Sequence, residues 1–144
     1  MTVITTAIKI STKGRDDVID VTSDVQDAVN GSKMTSGIAT VFIPGSTASV
    51  TTMEYEPGLV RDIKGLGERI APSDQEYGHN ETWGDGNGFS HIRAAAIGPS
   101  LTVPFDKGKL MLGTWQQIVV IDHDNRSRQR SVVIQLMGEI KGGH

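Results

Sequence analysis

Two histidines, an aspartate and an asparagine fall close together in Tyr77-Gly-His-Asn-Glu-Thr-Trp-Gly-Asp-Gly-Asn-Gly-Phe-Ser-His91. His79 and His91 bracket Asp85 and Asn87, and the intervening glycines let the backbone fold tightly. Two imidazoles, a carboxylate and an amide can therefore converge on a metal ion or on an anionic ligand. The same spacing also suits an exposed loop histidine at 79, a surface ring at 91, and turn-forming roles for Asp85 and Asn87. A second stretch, Pro44-Gly-Ser-Thr-Ala-Ser49, offers the hydroxyls of Ser46 and Thr47 and the local backbone amides to a phosphate or oxyanion, or is an ordinary Ser/Thr-rich turn. Glu54 can serve as a base or metal ligand, or simply end an exposed strand. Arg93, two residues beyond His91, would share its strand face and pair with a phosphate, with a surface cation as the plain alternative. Arg126, Arg128 and Arg130 alternate as a solvated hairpin rim would.

Composition narrows the chemistry. The chain has 144 residues with 14 basic and 17 acidic side chains, a formal charge of -3, so no broad positive field exists to hold a nucleic-acid backbone or an anionic membrane. Cysteine is absent, which excludes disulfides, thiolate metal sites and a cysteine nucleophile. No phosphate-loop motif occurs, and Gly84-Asp-Gly-Asn-Gly88 lacks the spacing and preceding strand of a dinucleotide fingerprint. A nucleophile elbow and a zinc-protease helix motif are likewise missing, so a hydrolase has no direct support. The first residues lack the features of a signal peptide, and no run approaches the roughly 18 to 20 apolar residues of a membrane span, so a cytoplasmic protein is expected. The polar segment 141–144 reads as a frayed tail.

These residues must be positioned by short elements, because 17 glycines and 5 prolines punctuate the chain. Strands are expected at residues 2–10, 17–21, 37–43 and 48–53. A short helix follows Ser23, whose spacing to Gln26 is that of a capping box, and ends at Asn30-Gly31. Leu59, Val60, Ile63, Leu66 and Ile70 line one face of a second helix over 57–71, which Pro57 starts and Pro72 stops. Residues 72–90 show no sustained period and read as a long irregular loop. Strands return at 92–97, 101–105, 110–121 and 131–137, with Trp115 expected to bury its indole and Asp122 to Arg126 to supply a turn. The expected class is α+β in one domain over 1–144, mostly antiparallel sheets in a sandwich-like arrangement with two principal helices.

The string Gly98-Pro-Ser-Leu-Thr-Val-Pro-Phe-Asp-Lys-Gly-Lys-Leu-Met-Leu-Gly-Thr-Trp-Gln-Gln-Ile118 resembles the signature of the YjbQ-like family of small proteins. The resemblance extends to Pro44 through Ser49, Glu54, His79-Asn80, Asp85, Asn87, Ser90 through Ala94, and Gly138-Glu139. It implies an α+β fold with antiparallel sheets, a homotrimer, and a polar pocket near a subunit contact. Members are often labelled secondary thiamine-phosphate synthases, which would join a pyrimidine diphosphate to a thiazole phosphate and release diphosphate. On that footing His79, His91, Glu54 and Asp85 are the catalytic candidates. Ser46, Thr47, Asn80, Asn87 and Arg93 are the ligand-binding candidates, for a small phosphorylated metabolite. Non-catalytic binding of such a metabolite or of a metal ion is the alternative. His79 and His91 are also the candidate ligands of a divalent metal, zinc or magnesium. Many relatives carry His-Thr-Thr-Ala-Ser where this chain has Gly45-Ser46-Thr47-Ala48-Ser49, so a third imidazole is missing here and Glu54, water or a neighbouring subunit would have to complete a metal shell.

Overall fold

A computed structural model describes residues 1–140, and the tail at 141–144 lies outside them. The elements run β1 (Thr2–Thr12), β2 (Asp17–Asp20), α1 (Thr22–Ser32), β3 (Met34–Phe42), β4 (Ala48–Met53), α2 (Pro57–Ile70), α3 (Gly78–Trp83), α4 (Gly88–Ile97), β5 (Ser100–Asp106), β6 (Lys109–Leu110), β7 (Gln117–Asp122) and β8 (Arg128–Ile140). Two antiparallel sheets result, one ordered β1-β8-β3-β5-β6 and one ordered β2-β7-β4.

The sandwich core lies between the sheets. On β8, Val132, Ile134 and Leu136 point inward and are fully buried, while Val133, Gln135 and Met137 alternate on the other face. Across from them stand Ala48 and Val50 of β4 and Ile118 and Val120 of β7, with Val25 and Val29 of α1 closing one end. Central strand β7 is apolar at every position from Ile118 to Ile121, because its second face is covered too: Val119 and Ile121 join Val18 and Met53 beneath Leu59, Val60 and Ile63 of α2. Such a continuous run marks a strand with no wet side.

Helix α2 begins as its sequence demands. Glu56 caps it by accepting from the Gly58 and Leu59 amides, and Pro57 occupies the first turn, where a missing N–H costs nothing. Gly67 faces Asp16 and Arg93, and a Cβ there would collide with Asp16 Oδ2, so glycine permits a close helix approach that any side chain would block.

Three expectations are corrected. The strand at 92–97 is helix α4, and much of the expected loop at 72–90 is ordered as α3 and the first turn of α4. Phe89, Ser90, Arg93 and Ala94 form the buried face of α4, an i, i+1, i+4, i+5 spacing that the apolar content of the segment masked. Among the described residues there are therefore four helices. Trp115 sits in a turn before β7 and is 73% exposed, so its indole is not part of the core of the chain. Among the described residues no helix is long and apolar enough to cross a membrane.

Candidate functional site

The site grows from one strand end. Asp122 ends β7, His123 and Asp124 follow it, and all three are fully buried. Asp122 and Asp124 point to one side and His123 to the other, as alternate residues must in extended chain. Asp122 accepts a two-armed contact from Arg130, from Nε to Oδ2 and from Nη2 to Oδ1, both at 2.9 Å. Thr12 Oγ1 adds a third donor at 2.5 Å. Asp124 accepts from Arg128 Nε at 3.0 Å and from Thr47 Oγ1 at 2.9 Å, and Thr47 accepts in turn from Arg130 Nη2 at 2.7 Å. Burial pushes both carboxyls up, but the donors of Arg130 and Thr12 on Asp122, and of Thr47 and Arg128 on Asp124, outweigh it and hold both below the usual carboxylate range. They are ionised near neutral pH and fix two guanidiniums in place.

In front of those guanidiniums lies a pocket of about 460 Å³ lined by Gly45, Ser46, Thr47, His79, Trp83, Asp85, Asn87, His91, Arg128 and Arg130. Short α3 delivers His79 and the first turn of α4 delivers His91, so the two rings meet with centroids 4.1 Å apart. His79 Nδ1 stands 3.6 Å from Asp85 Oδ1. Asn87, with its amide nitrogen turned toward Asp85, donates to Oδ1 at 2.8 Å. Burial and the nearby His79 lower the affinity of His91 for a proton, with Asp85 and Asp124 opposing, so its ring stays neutral to lower pH than a free histidine. A neutral imidazole beside a carboxylate-supported one can take up and hand on a proton.

The expected site residues divide. Ser46, Thr47, His79, Asp85, Asn87 and His91 come together in this pocket. Asn80 does not line it, and instead accepts from the Gly88 amide at 2.9 Å, tying α3 to the start of α4. Glu54 lies exposed beyond the far end of β4 and is not among the lining residues. Arg93 faces away from His91, because helical rather than extended backbone turns it inward: it is buried, bonded to Asp16 and Glu68 and to the Ala71 carbonyl at 3.1 and 2.9 Å. The solvated rim holds at Arg126, which is exposed, and is corrected at Arg128 and Arg130. Arg130 keeps only 10% of its side-chain surface exposed and Arg128 33%, since both are drawn in by the buried aspartates.

The sequence signal for that pairing was the two-residue spacing of Asp122 and Asp124 matched by Arg128 and Arg130 across a short connection. Arg130 also bears on the missing histidine. A Cβ at Gly45, whose φ is +112°, would lie 3.0 Å from Arg130 Nη1, so a guanidinium fills the space beside this glycine. Among the described residues no three His, Cys, Asp or Glu side chains are grouped to hold a metal ion. With two guanidiniums facing the same space, this donor set does not fit a resident divalent cation held by one chain.

Known proteins share this arrangement of elements. A protein of Methanothermobacter thermautotrophicus, called only UPF0047 protein, is 37% identical over 96% of this chain and 95% of its own. YugU of Bacillus subtilis, also a UPF0047 protein, is 31% identical over 91% of this chain and 97% of its own. The crystal structure of a YbjQ-like protein of unknown function from Sulfolobus solfataricus superposes with a TM-score of 0.91 at 30% identity, covering 96% of this chain and 99% of that one. A hypothetical protein from Aeropyrum pernix gives 0.88 at 32%, covering 94% and 99%. Residues 6–139 match the family described as UPF0047 protein YjbQ-like, nearly the whole of the sandwich and both halves of the pocket, and the chain belongs to that family.

Proposed function

We propose that this protein binds a small phosphorylated metabolite in the pocket between Arg128, Arg130, His79 and His91. The supporting observation is the pair of guanidiniums pinned by buried Asp122 and Asp124, whose remaining N–H groups and the Ser46-Thr47 turn face one space. Because the two buried carboxylates balance the two guanidiniums, the net charge of the pocket is set by Asp85 and the two imidazoles. An anion is held best when those rings carry protons.

The finer reading is an enzyme that displaces diphosphate, as the resemblance to proteins labelled secondary thiamine-phosphate synthases implies. The guanidiniums would hold the leaving anion, while His91, supported by His79 and Asp85, would move the proton. In the non-catalytic alternative the same groups only bind. A homotrimer in the cytoplasm completes the proposal. Trp115 and Met111, exposed at 73% and 62%, and Val3, Ile38, Phe42 and Met137 on the five-stranded sheet supply apolar surface for subunit contacts.

Sulfate, whose charge is constant across the relevant range, tests the anion pocket by calorimetry. Binding should tighten as pH falls from about 6.5 through the lowered value of His91. Arg128→Lys should weaken it about tenfold, the worth of one charge-assisted hydrogen bond. No binding, or binding that weakens on acidification, would overturn the reading, and tight zinc binding in its place would favour the metal. Diphosphate release from the pyrimidine and thiazole precursors separates the enzyme from the binder, and sedimentation decides the trimer.

A further inference from the structure

Behind the pocket, on the opposite face of the β7 end, His123 takes part in a second array. Its Nδ1 lies 2.5 Å from Asp16 Oδ1 and its Nε2 lies 2.8 Å from Ser49 Oγ. A carboxylate only accepts, so Nδ1 carries a proton and donates it, and in the neutral ring Nε2 accepts from the Ser49 hydroxyl. Asp16 Oδ2 accepts from Arg93 Nη1 at 2.9 Å. The order Ser, His, Asp is that of a hydrolase triad, yet Ser49 and His123 are 0% and 1% exposed. A nucleophile sealed between sheet and helices has no way in for a substrate, and Arg93 already draws on the charge that would steady an imidazolium.

The array instead joins four parts of the chain. Asp16 sits in the β1–β2 turn with a left-handed φ of 63°, a conformation costly for a residue with a Cβ and retained where its surroundings demand it. Ser49 belongs to β4, His123 follows the last residue of β7, and Arg93 belongs to α4, one short step along the helix from His91. Arg93 also grips the end of α2 at Ala71 and Glu68. Resting on the anion-pocket reading above, we infer that Ser49, His123 and Asp16 form a positioning unit that sets the depth of α4 on the small sheet through Arg93, and so holds the His91 ring in the pocket. Its neighbours fit a fixed spacer: His123 is held by Asp16, itself bonded to Arg93, and by Ser49, while its amide donates to the Thr47 carbonyl, just before β4, at 2.9 Å.

The test compares Ser49→Ala, His123→Gln and His123→Leu in the full chain. Glutamine keeps a donor and an acceptor at the position, while leucine keeps only bulk. Melting temperature is recorded with sulfate affinity and with the ring-proton shifts of His91 and His79 at one fixed pH. At temperatures where each variant is folded, His123→Leu should displace the His91 signals and weaken sulfate several-fold, His123→Gln should recover part of both, and Ser49→Ala should show a smaller change of the same kind. Lowered melting temperatures with unmoved His91 signals would overturn the inference, since a merely structural array changes stability alone. If the leucine variant does not fold, the glutamine and alanine variants decide by the same signals. Failure of wild type to bind sulfate would sink the anion reading, and the His91 signals would still judge the positioning unit.

Discussion

The two sides of Asp122-His123-Asp124 put charged groups to different uses. On the pocket side the aspartates hold Arg128 and Arg130 at the edge of water, and the guanidiniums keep N–H groups for something else. On the other side Asp16, His123, Ser49 and Arg93 use their hydrogen-bonding capacity on one another and on Ala71, shut away from solvent except where Arg93 reaches Glu68. Desolvation explains the contrast. A charge that keeps some access to water can be left partly unsatisfied and so remain ready for a ligand, whereas a fully enclosed one has to be satisfied within the fold.

The comparison is broken most sharply at Arg93. Arg93→Met leaves Asp16 enclosed with one partner fewer, and should cost about 3–5 kcal/mol in urea unfolding. A loss below about 1 kcal/mol would place the enclosed side on the same footing as a surface pair. Asp122→Asn, on the pocket side, should cost less, about 1–3 kcal/mol, because Arg130 can turn toward water. It should also weaken sulfate binding, which unchanged calorimetry would refute. Ser49→Ala removes one neutral hydrogen bond and should lower stability by about 1 kcal/mol.

The smallest effect is expected where the enclosed network reaches the surface. Glu68 is half exposed, and the hydrogen bonds from Arg93 and then from Ser73 hold its carboxyl down from 4.5 to about 2. Because the folded value lies below the unfolded one, its contribution is complete above pH 4.5 and is lost as pH falls toward 2. Solvent screening keeps that contribution to about 0.2–1 kcal/mol. Glu68→Gln should therefore flatten the acid limb of stability measured over that window while changing little near neutrality. An acid limb identical to wild type would show that Arg93 gains nothing from its exposed partner.

Local pattern carried much of this protein. Runs of strand-forming residues between turn residues placed β1, β4 and β5, the Pro57 start and Pro72 stop bounded α2, and the clustering of polar residues at 77–91 and 44–49 brought out six residues that share one pocket. These features depend on neighbours a few residues apart, so a linear reading can find them. Tertiary structure decided the remainder. Whether 92–97 coils or extends depended on covering the small sheet, and helical backbone then turned Arg93 inward to Asp16, 77 residues away. Asp122 to Asp124 looked like a turn because buried carboxylates are rare. Only the arrival of Thr12 from β1 and of Thr47 from the turn before β4, with Arg128 and Arg130, makes their burial affordable and turns an apparent rim into the back wall of the pocket. Burial of a charge is a property of all its partners at once, and those partners meet only when the chain has folded.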